Sequence, residues 1–462
     1  MQKHFTPRTL ALLTGGILAT AAMHSHAAGF AIIEQSASGM GNAYAGAAAV
    51  AEDASTIYFN PAGLTHLPGS QMVLAGHVIM PTADFSNRGS YVNPMLTNGV
   101  PVAGSLPGAN DDGGKTKFVP NFYFSTQLGE KLFAGIGINA PFGLATEYDN
   151  DWVGRYHAIE SEISTVIINP ALAWKINDRI SLGAGISAQY IDVTLSNAVD
   201  FGSVCFGLES KGYLPPGSCA ASGVMPLGAD GEAKVKGTDW SWGFNLGALI
   251  ELSDRTRIGL AYRSSVEQDL EGHARFRVPS SFQALLDMGI PLFSNTSASA
   301  SVDLPENASI SLYHAFNEQW AILADATWTK WSRFDELRID YGNPMQPPTV
   351  QPENWDDSWR YSLGAIYKSN TTWTFRAGWA YDETPIPDAK YRTPRIPGND
   401  RTWIALGLGY QISKTMAVDV GYSHLFVDDT KINSLDHSTG HQLVGEYDSD
   451  VDIISAQLKM EF

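Results

Sequence analysis

The sequence predicts an all-β membrane protein: a 14-stranded antiparallel transmembrane β-barrel with a small N-terminal helical hatch in its lumen. From residue 69 onward, apolar and polar residues alternate in runs of about 10–18 residues, the length of tilted membrane-spanning strands. Short and long connections follow these runs in turn. Only 17% of the 462 residues are charged, whereas 44 are glycine and 11% are aromatic. This composition suits strands that face lipid on one side.

The charge balance and hydropathy exclude several classes of protein. With 48 acidic and 30 basic residues the formal charge is -18, so nucleic acid is not the expected partner. A disordered polyelectrolyte would carry more charge. After residue 27 no run of 18 apolar residues occurs, which excludes a helical membrane protein. A soluble secreted protein and a barrel remain.

Residues 1–27 are predicted to be a secretory signal peptide. Lys3 and Arg8 supply positive charge, and residues 10–23 form an apolar run that is short for a membrane span. Small residues lead up to an expected cleavage after Ala27. An uncleaved anchor helix is the alternative.

Residues 28–69 are predicted to be the hatch. They do not alternate, are rich in alanine and glycine, and allow short helices around 36–46 and 50–58. The second helix should end at Asn60, because a residue before proline avoids the α region. About fourteen strands enclose a lumen wider than side chains alone can fill, which places this segment inside the barrel. A periplasmic tail is the alternative.

Residues 70–462 are predicted to form the barrel with long outer loops. Six turn-like connections lie on one side and seven long loops on the other, the pattern of bacterial outer-membrane barrels. The loops at 199–236 and 277–300 are the most prominent. A soluble β-sandwich would also alternate, but it would rarely need fourteen strands. The predicted strands are 71–82, 117–128, 132–143, 160–176, 180–197, 238–252, 257–275, 302–316, 320–340, 357–369, 372–383, 401–412, 416–430 and 449–462.

Aromatic residues near strand ends predict girdles at the membrane interfaces, although aromatics also favour strands in general. The terminal Phe462 resembles the signal by which the barrel assembly machinery recognises its clients. Outer-membrane lipid and lipopolysaccharide are the expected surroundings. The girdle candidates are Trp152, Tyr156, Trp240, Trp242, Trp328, Trp331, Trp355, Trp359 and Trp403.

The two cysteines, Cys205 and Cys219, lie in a region rich in glycine, proline and serine. In an oxidising compartment a disulfide is expected, with a stabilisation of about 3 kcal/mol for a loop of this size. Two free thiols are the alternative. His437 and His441 beside Asp436 have a metal-like spacing, but a solvated loop is favoured over a ligand set. Neither a metal nor a cofactor is predicted.

Several motifs resemble one family. The hatch carries AGF at 28–30, GMGNAYAG at 39–46 and NPAG at 60–63. The strands carry fragments such as LAYRS at 260–264 and WTFRAG at 373–378. Over its whole mature length the chain resembles the FadL/TodX family of outer-membrane transporters for long-chain fatty acids and other hydrophobic compounds.

The resemblance implies passive transport in three stages. Ligand is captured at an outer groove, passes to a lumen pocket, and leaves sideways through a kink in the third strand. That strand contains Asn139, Ala140, Pro141, Phe142 and Gly143. Pro141 cannot donate to a ladder and glycine weakens pairing, so the wall should bend and leave a gap. A bulge that merely relieves curvature is the alternative.

Other roles also follow from the resemblance. Phe30 should project into the lumen pocket, and Asn60, Pro61 and Ala62 should lie near the kink. Arg338 should contact a ligand head group, with an ion pair to Asp335 or Glu336 as the alternative. The apolar residues of the 277–300 loop should form the outer groove, unless they pack against the 199–236 loop. They are Phe282, Leu285, Leu286 and Phe293.

No catalytic fingerprint is present, so an enzyme is not predicted. The leading hypothesis is uptake of a long-chain fatty acid or a similar hydrophobic ligand. An aromatic-hydrocarbon channel of the same fold and an outer-membrane lipid hydrolase are the alternatives. A structural porin is a third and weaker hypothesis.

Overall fold

The computed structural model describes residues 29–92, 104–436 and 439–462. The predicted signal peptide therefore lies outside the described residues. The strands are β1 (Ser70–Pro81), β2 (Asp84–Asn87), β3 (Tyr91–Val92), β4 (Lys117–Gln127), β5 (Leu132–Asn139), β6 (Gly143–Glu147), β7 (Glu160–Asn177), β8 (Ile180–Asp200), β9 (Asp230–Ser253), β10 (Thr256–Arg263), β11 (Val266–Arg277), β12 (Thr296–Leu304), β13 (Asn307–Ala315), β14 (Trp320–Thr329), β15 (Glu336–Tyr341), β16 (Thr349–Pro352), β17 (Ser358–Lys368), β18 (Trp373–Asp382), β19 (Arg401–Ser413), β20 (Met416–Val427), β21 (Thr430–Leu435), β22 (His441–Asp448) and β23 (Asp450–Glu461).

The wall is a closed antiparallel barrel of fourteen strands, as the sequence predicts. Closure is made by β1, which pairs with β4 on one side and with β23 on the other. Four of the predicted wall strands are each split into two segments. The prediction of a single strand is wrong for three of them, whereas in the third wall strand the break falls at the kink expected around Pro141. Proline, a 3-10 turn or an unpaired dipeptide interrupts their ladders. The split strands are β5 with β6, β10 with β11, β12 with β13, and β14 with β15.

Side chains alternate between the lumen and the outer surface. In β23, Ser455 and Gln457 are buried whereas Ile454 is 50% exposed. The outward positions of neighbouring strands carry a band of exposed apolar side chains, which is the surface that a hydrocarbon layer requires. Members of the band are Leu172, Trp174, Ile186, Leu363, Leu406 and Ile454.

Of the nine girdle candidates, five are buried, Trp328 is intermediate, and Trp240, Trp242 and Trp359 are exposed. Trp240 and Trp242 are exposed on the outer surface, at 55% and 71%. The following candidates are buried instead, because they point into the lumen or pack beneath the long loops: Trp152, Tyr156, Trp331, Trp355 and Trp403.

The helices in the described residues are short. They are α1 (Ala37–Met40), α2 (Ala47–Val50), α3 (Thr56–Phe59), α4 (Phe201–Ser210), α5 (Ser218–Ala221) and α6 (Ser280–Leu286), with 3-10 turns at Pro61–His66 and Trp331–Arg333. None of these helices is long and apolar enough to cross a membrane. The second predicted hatch helix does end at Asn60, which is extended (φ -160°, ψ 101°) and caps the following 3-10 turn.

Helices α1 to α3 lie inside the barrel, in a position consistent with a plug, and their backbone touches the wall. The approach is so close that only glycine fits opposite them. A Cβ on Gly259 would lie 1.9 Å from the carbonyl oxygen of Ala48, and one on Gly378 would lie 2.1 Å from the carbonyl carbon of Asn42. Asn60 Nδ2 donates to the carbonyls of Ala48 (2.6 Å) and Ala248 (3.0 Å), which ties the helices to β9.

The ends of the barrel differ. Tight turns such as 178–179 and 254–255 connect strands at one end, here called the turn end. At the other end, the loop end, β2, β3, β21 and β22 form a separate small sheet. The predictions of 84–115 and 432–448 as loops missed these strands. His437 of the predicted metal-like spacing lies outside the described residues, while His441 begins β22.

The loop-end connection that contains both cysteines runs from 201 to 229, because β8 and β9 extend beyond their predicted limits. Within it, Cys205 of α4 and Cys219 of α5 form a disulfide. Phe282, Leu285 and Leu286 of α6 pack against Phe201 and the cysteine pair in one buried cluster. The two prominent loops therefore cover each other's apolar surface.

Candidate ligand-binding site

The third wall strand, β5 followed by β6, is broken at residues 140–142. The ladder between β4 and β5 ends at Phe122↔Ile138, and β6 then pairs with β7, starting at Gly143↔Ser164. No ladder joins β4 to β6 in the described part of the chain. A single bridge, Gly114↔Thr146, closes the wall again toward the loop end. The opening between residues 117–121 of β4 and residues 140–145 is called the lateral gap below.

The N-terminal segment 30–32 pairs with the broken strand. Ile32 N donates to the carbonyl of Pro141 (2.8 Å), and Gly143 N donates to the carbonyl of Phe30 (2.9 Å). Phe142 N points the opposite way, to Thr165 Oγ1 of β7 (3.0 Å). Because successive residues of a strand present their polar groups to opposite edges, segment 30–32 occupies the edge that would otherwise face β4. Residues of the hatch therefore fill the lumen side of the lateral gap.

Amide side chains on both sides of the gap hold Glu34 and Gln35 of the hatch. Asn139 Nδ2 donates to Gln35 Oε1 (2.7 Å), and Gln35 Nε2 donates to the carbonyl of Ala140 (2.8 Å). On the opposite rim, Asn121 Nδ2 donates to the carbonyl of Glu34 (2.9 Å). These hydrogen bonds replace the wall contacts that the break removes, so the gap is closed by side chains and by the hatch rather than by a ladder.

Phe30 is the centre of an aromatic cluster beside the gap. Its ring lies 4.9 Å from that of Trp331, 5.9 Å from Phe334, and 6.0 Å from both Phe142 and Trp355. Only 4% of Phe30 is exposed. The side chain lines a lumen cavity, and its expected role in a ligand pocket stays a prediction.

A cavity of about 600 Å³ runs from the lateral gap into the lumen. Cavities of this size are typical of small-molecule sites. Its lining combines hatch residues, both rims of the gap and inner wall residues. Among them are Phe30, Tyr58, Lys117, Val119, Asn139, Ala140, Phe142, Gly143, Leu144, Arg263, Trp331, Arg360 and Trp403.

Arg263 is one of two arginines that line this cavity without an ion pair to a carboxylate of the described residues; the other, Arg360, is buried and donates to the Ala43 carbonyl (2.9 Å). The guanidinium of Arg263 lies over the Tyr58 ring, 4.4 Å from the centroid, and its Nη2 donates to the Tyr58 carbonyl (2.9 Å). No ion pair joins it to a carboxylate of the described residues, whereas Arg401, which also lines the cavity, pairs with Asp382 at 3.3 Å. A cation that is largely removed from water without a counter-ion is costly, so a ligand carboxylate would stabilise it.

A smaller cavity of about 70 Å³ lies toward the loop end and shares Phe30 and Leu144 with the first. Aliphatic side chains dominate its lining, together with Glu353 and Arg395. Burial raises the pKa of Glu353 to about 8 and lowers that of Arg395 to about 10. At neutral pH Glu353 is therefore mostly protonated and Arg395 charged, which leaves this cavity apolar with one positive edge.

The predicted site residues divide into two sets. Phe30 and the kink residues come together at the lateral gap. By contrast, Asn60, Pro61 and Ala62 pack against β8 and β9 through Gly183 and Gly247 and line neither cavity.

Two further predictions are placed away from the cavities. Arg338 lies on the outer side of β15, half exposed, and pairs with Asp340 (3.0 Å) rather than with Asp335 or Glu336. The apolar residues expected to form the outer groove are covered by the 201–229 loop, so the alternative of loop-to-loop packing describes them better. They are Phe282, Leu285, Leu286 and Phe293.

Comparison with known proteins then identifies the family. The model of the outer membrane protein transport protein family (OMPP1/FadL/TodX) matches residues 18–462. The chain belongs to this family. It is 31% identical to a putative outer membrane protein of Neisseria meningitidis serogroup B, with 98% of each chain covered. It is 30% identical to a long-chain fatty acid transport protein of Escherichia coli O6:H1, with 91% of each covered.

Solved structures of FadL/TodX proteins share the fold. A Pseudomonas aeruginosa FadL homologue is 26% identical and superimposes with a TM-score of 0.81, covering 94% of this chain and all of that one. The Pseudomonas putida toluene transporter TodX is 19% identical, with a TM-score of 0.64 and coverage of 88% and 94%. Family membership places the chain in the outer membrane as a transport protein, with its loop end on the extracellular side.

Proposed function

We propose that this protein takes up long-chain fatty acids across the outer membrane and releases them sideways through the lateral gap. The observation that carries the proposal is the lumen cavity, which joins an apolar lining to an unpaired cation at one point and reaches a break in the barrel wall at another. Relatives named as long-chain fatty acid transport proteins support this substrate class.

The physical advantage of a sideways exit lies in the acyl chain. Each CH2 group gains about 0.8 kcal/mol on leaving water. A ligand that crossed a water-filled pore into the periplasm would lose that gain. A ligand that passes between β4 and the third strand enters the hydrocarbon layer directly and retains it.

The proposed route begins at the smaller cavity near Arg395, where a mainly aliphatic lining receives the acyl chain. Phe30, which lines both cavities, separates them. Its movement together with segment 30–32 would join the cavities and at the same time free the edge of the third strand that faces β4, because this segment bonds to Pro141 and Gly143. The head group of the fatty acid then pairs with Arg263 while its acyl chain enters the lateral gap.

The test is uptake by a Gram-negative host that lacks its own transporters of this family. The host would express the full chain or carry the empty vector, and initial uptake of radiolabelled oleate and of an alkylbenzene would be measured. We expect oleate uptake well above the vector control. Uptake of the alkylbenzene alone would favour an aromatic-hydrocarbon channel, and uptake of neither would contradict transport.

A second measurement addresses the lipid hydrolase. Purified protein would be mixed with phospholipid vesicles and the released fatty acid followed over time. We expect no release above that of vesicles alone. Sustained release would replace the transport proposal with an enzymatic one.

A further inference from the structure

Two ion pairs bridge the lateral gap at its extracellular side. Lys117 Nζ of β4 lies 2.6 Å from Glu162 Oε1 of β7, and Lys115 pairs with Glu147 at the end of β6. Both lysines also line the main cavity. The Lys117 pair therefore joins the β4 rim to β7, the strand that follows the third, and the Lys115 pair lies beside the Gly114↔Thr146 bridge at the end of the gap. Both lysines are within reach of a ligand in the lumen.

The alternation of side chains shows how the rims are arranged. Lys117 shares the inner face of β4 with Val119 and Asn121, both of which are buried. Glu162 shares the outer face of β7 with the exposed Ser164 and Val166. An ion pair between an inner face and an outer face requires the rims to overlap, with the third and fourth strands displaced inward. The path from cavity to lipid therefore runs along the overlap, past Lys117.

The remaining lining of this path is largely apolar. It includes Phe118, Val119, Ile138, Leu144 and Val166. Among the described residues of this passage, charge comes from the lysine–glutamate pairs and, on the lumen side, from Glu34 of the hatch. Both members of the Lys117 pair are about one-third exposed, at 36% and 34% of their side chains. An ion pair of this kind contributes little to stability and exchanges partners readily.

We propose that Lys117, supported by Lys115, is a carboxylate-binding site at the lateral gap, where the head group of a departing fatty acid replaces Glu162 as the partner of the lysine. This inference rests on the proposed function. The tail of the ligand enters lipid first, and the carboxylate trails behind it through an apolar passage. Pairing with Lys117 keeps the charge compensated during that step, and separation of Lys117 from Glu162 loosens the overlapping rims.

The test compares a charged and an uncharged ligand of equal chain length, oleate and oleyl alcohol. Initial uptake of each by cells that express the full chain gives an oleate-to-alcohol ratio. We expect Lys117→Gln to lower the ratio by about two- to fivefold, in line with the strength of a partly exposed ion pair. We expect Glu162→Gln to raise it, because Lys117 then lacks its competing partner.

Opposite effects of the two variants distinguish ligand exchange from a simple latch. A structural latch would respond in the same way to the loss of either partner, so equal shifts, or no shift, would overturn the proposal. Lys117→Arg keeps the charge and should restore the wild-type ratio. Lys175→Gln is the matched control, since it breaks a lysine–carboxylate pair with Asp178 beside a tight turn at the opposite end. Heat-modifiable mobility on gels verifies that each variant is assembled.

A lipid phosphate offers chemistry similar to that of a fatty acid carboxylate. Oleate binding by purified wild-type and Lys117→Gln protein in phosphatidylcholine vesicles without lipopolysaccharide separates the two sources. Weaker oleate binding by the variant in these vesicles supports the proposal, whereas equal binding would assign the lysine to lipopolysaccharide and overturn it. If wild-type cells take up neither ligand, the proposed function fails as a whole, which is a different result.

Discussion

At the scale of single residues, the position of a cation along its strand decides whether it reaches the main cavity. Arg263 ends β10 with its guanidinium toward the cavity, whereas Arg338 lies between Leu337 and Ile339, which face the smaller cavity. Because strand side chains alternate, Arg338 must point outward. The expectation for Arg338 came from the family resemblance. Odd-numbered residues face inward in both β14 and β15, so the alternation itself places Arg338 on the outer side.

Arg263→Gln should weaken oleate binding by about tenfold or more, because a charge-assisted hydrogen bond is replaced by a neutral one. Binding of an alkylbenzene should not change. Both affinities follow from the tryptophan fluorescence of purified protein, since Trp331 lines the cavity. Arg263→Lys, which keeps the charge, is the matched control. Equal weakening for both ligands would show a structural role only.

At the scale of elements, the third strand was the best-predicted feature of the site. Proline and glycine two residues apart are enough to predict a break, since one lacks a donor and the other weakens the ladder. The sequence did not predict which segment fills the gap. Pairing between residues 30–32 and 141–143 joins positions more than a hundred residues apart, and three residues carry no pattern of their own.

The double variant Pro141→Ala, Gly143→Ala should close the gap and abolish most oleate uptake while the barrel still assembles. An alanine at 141 adds an N–H on the edge that faces β4, and a methyl group at 143 would lie 2.5 Å from Ile32 Cδ1, which disfavours the hatch segment there. Initial oleate uptake at equal surface expression is the measurement. Unchanged uptake in a fully assembled variant would contradict lateral release.

At the scale of the whole molecule, the number of strands and the sidedness of the loops followed from alternation and loop length alone. The small extracellular sheet did not, because β2, β3, β21 and β22 are two to eight residues long and lack a clear period. The contact surface between the hatch and the wall was also not predicted from the sequence. It depends on glycines that face inward on different strands. A single glycine in a strand sequence does not indicate which residue of the hatch packs against it.

Gly378→Ala should loosen the hatch and leave the barrel intact. The added carbon would meet backbone atoms of Asn42, which cannot move aside as a flexible side chain can, and overpacking of this kind costs about 1–3 kcal/mol. We expect cells to become more sensitive to large hydrophilic antibiotics, measured as a lower inhibitory concentration. Gly129→Ala, with nothing within 4 Å of the new carbon, is the control. Equal sensitivity of the two variants would mean that the hatch tolerates the contact.

The tight fit between the hatch and the inward-facing glycines also constrains biogenesis. The hatch precedes β1 in the chain, yet it touches β10, β13, β20 and β23, whose last member pairs with β1 to complete the cylinder. A finished cylinder offers no clearance for threading such a segment afterwards. We therefore expect the hatch to be in place before the first and last strands pair, so that the later strands form their contacts with it as the barrel closes.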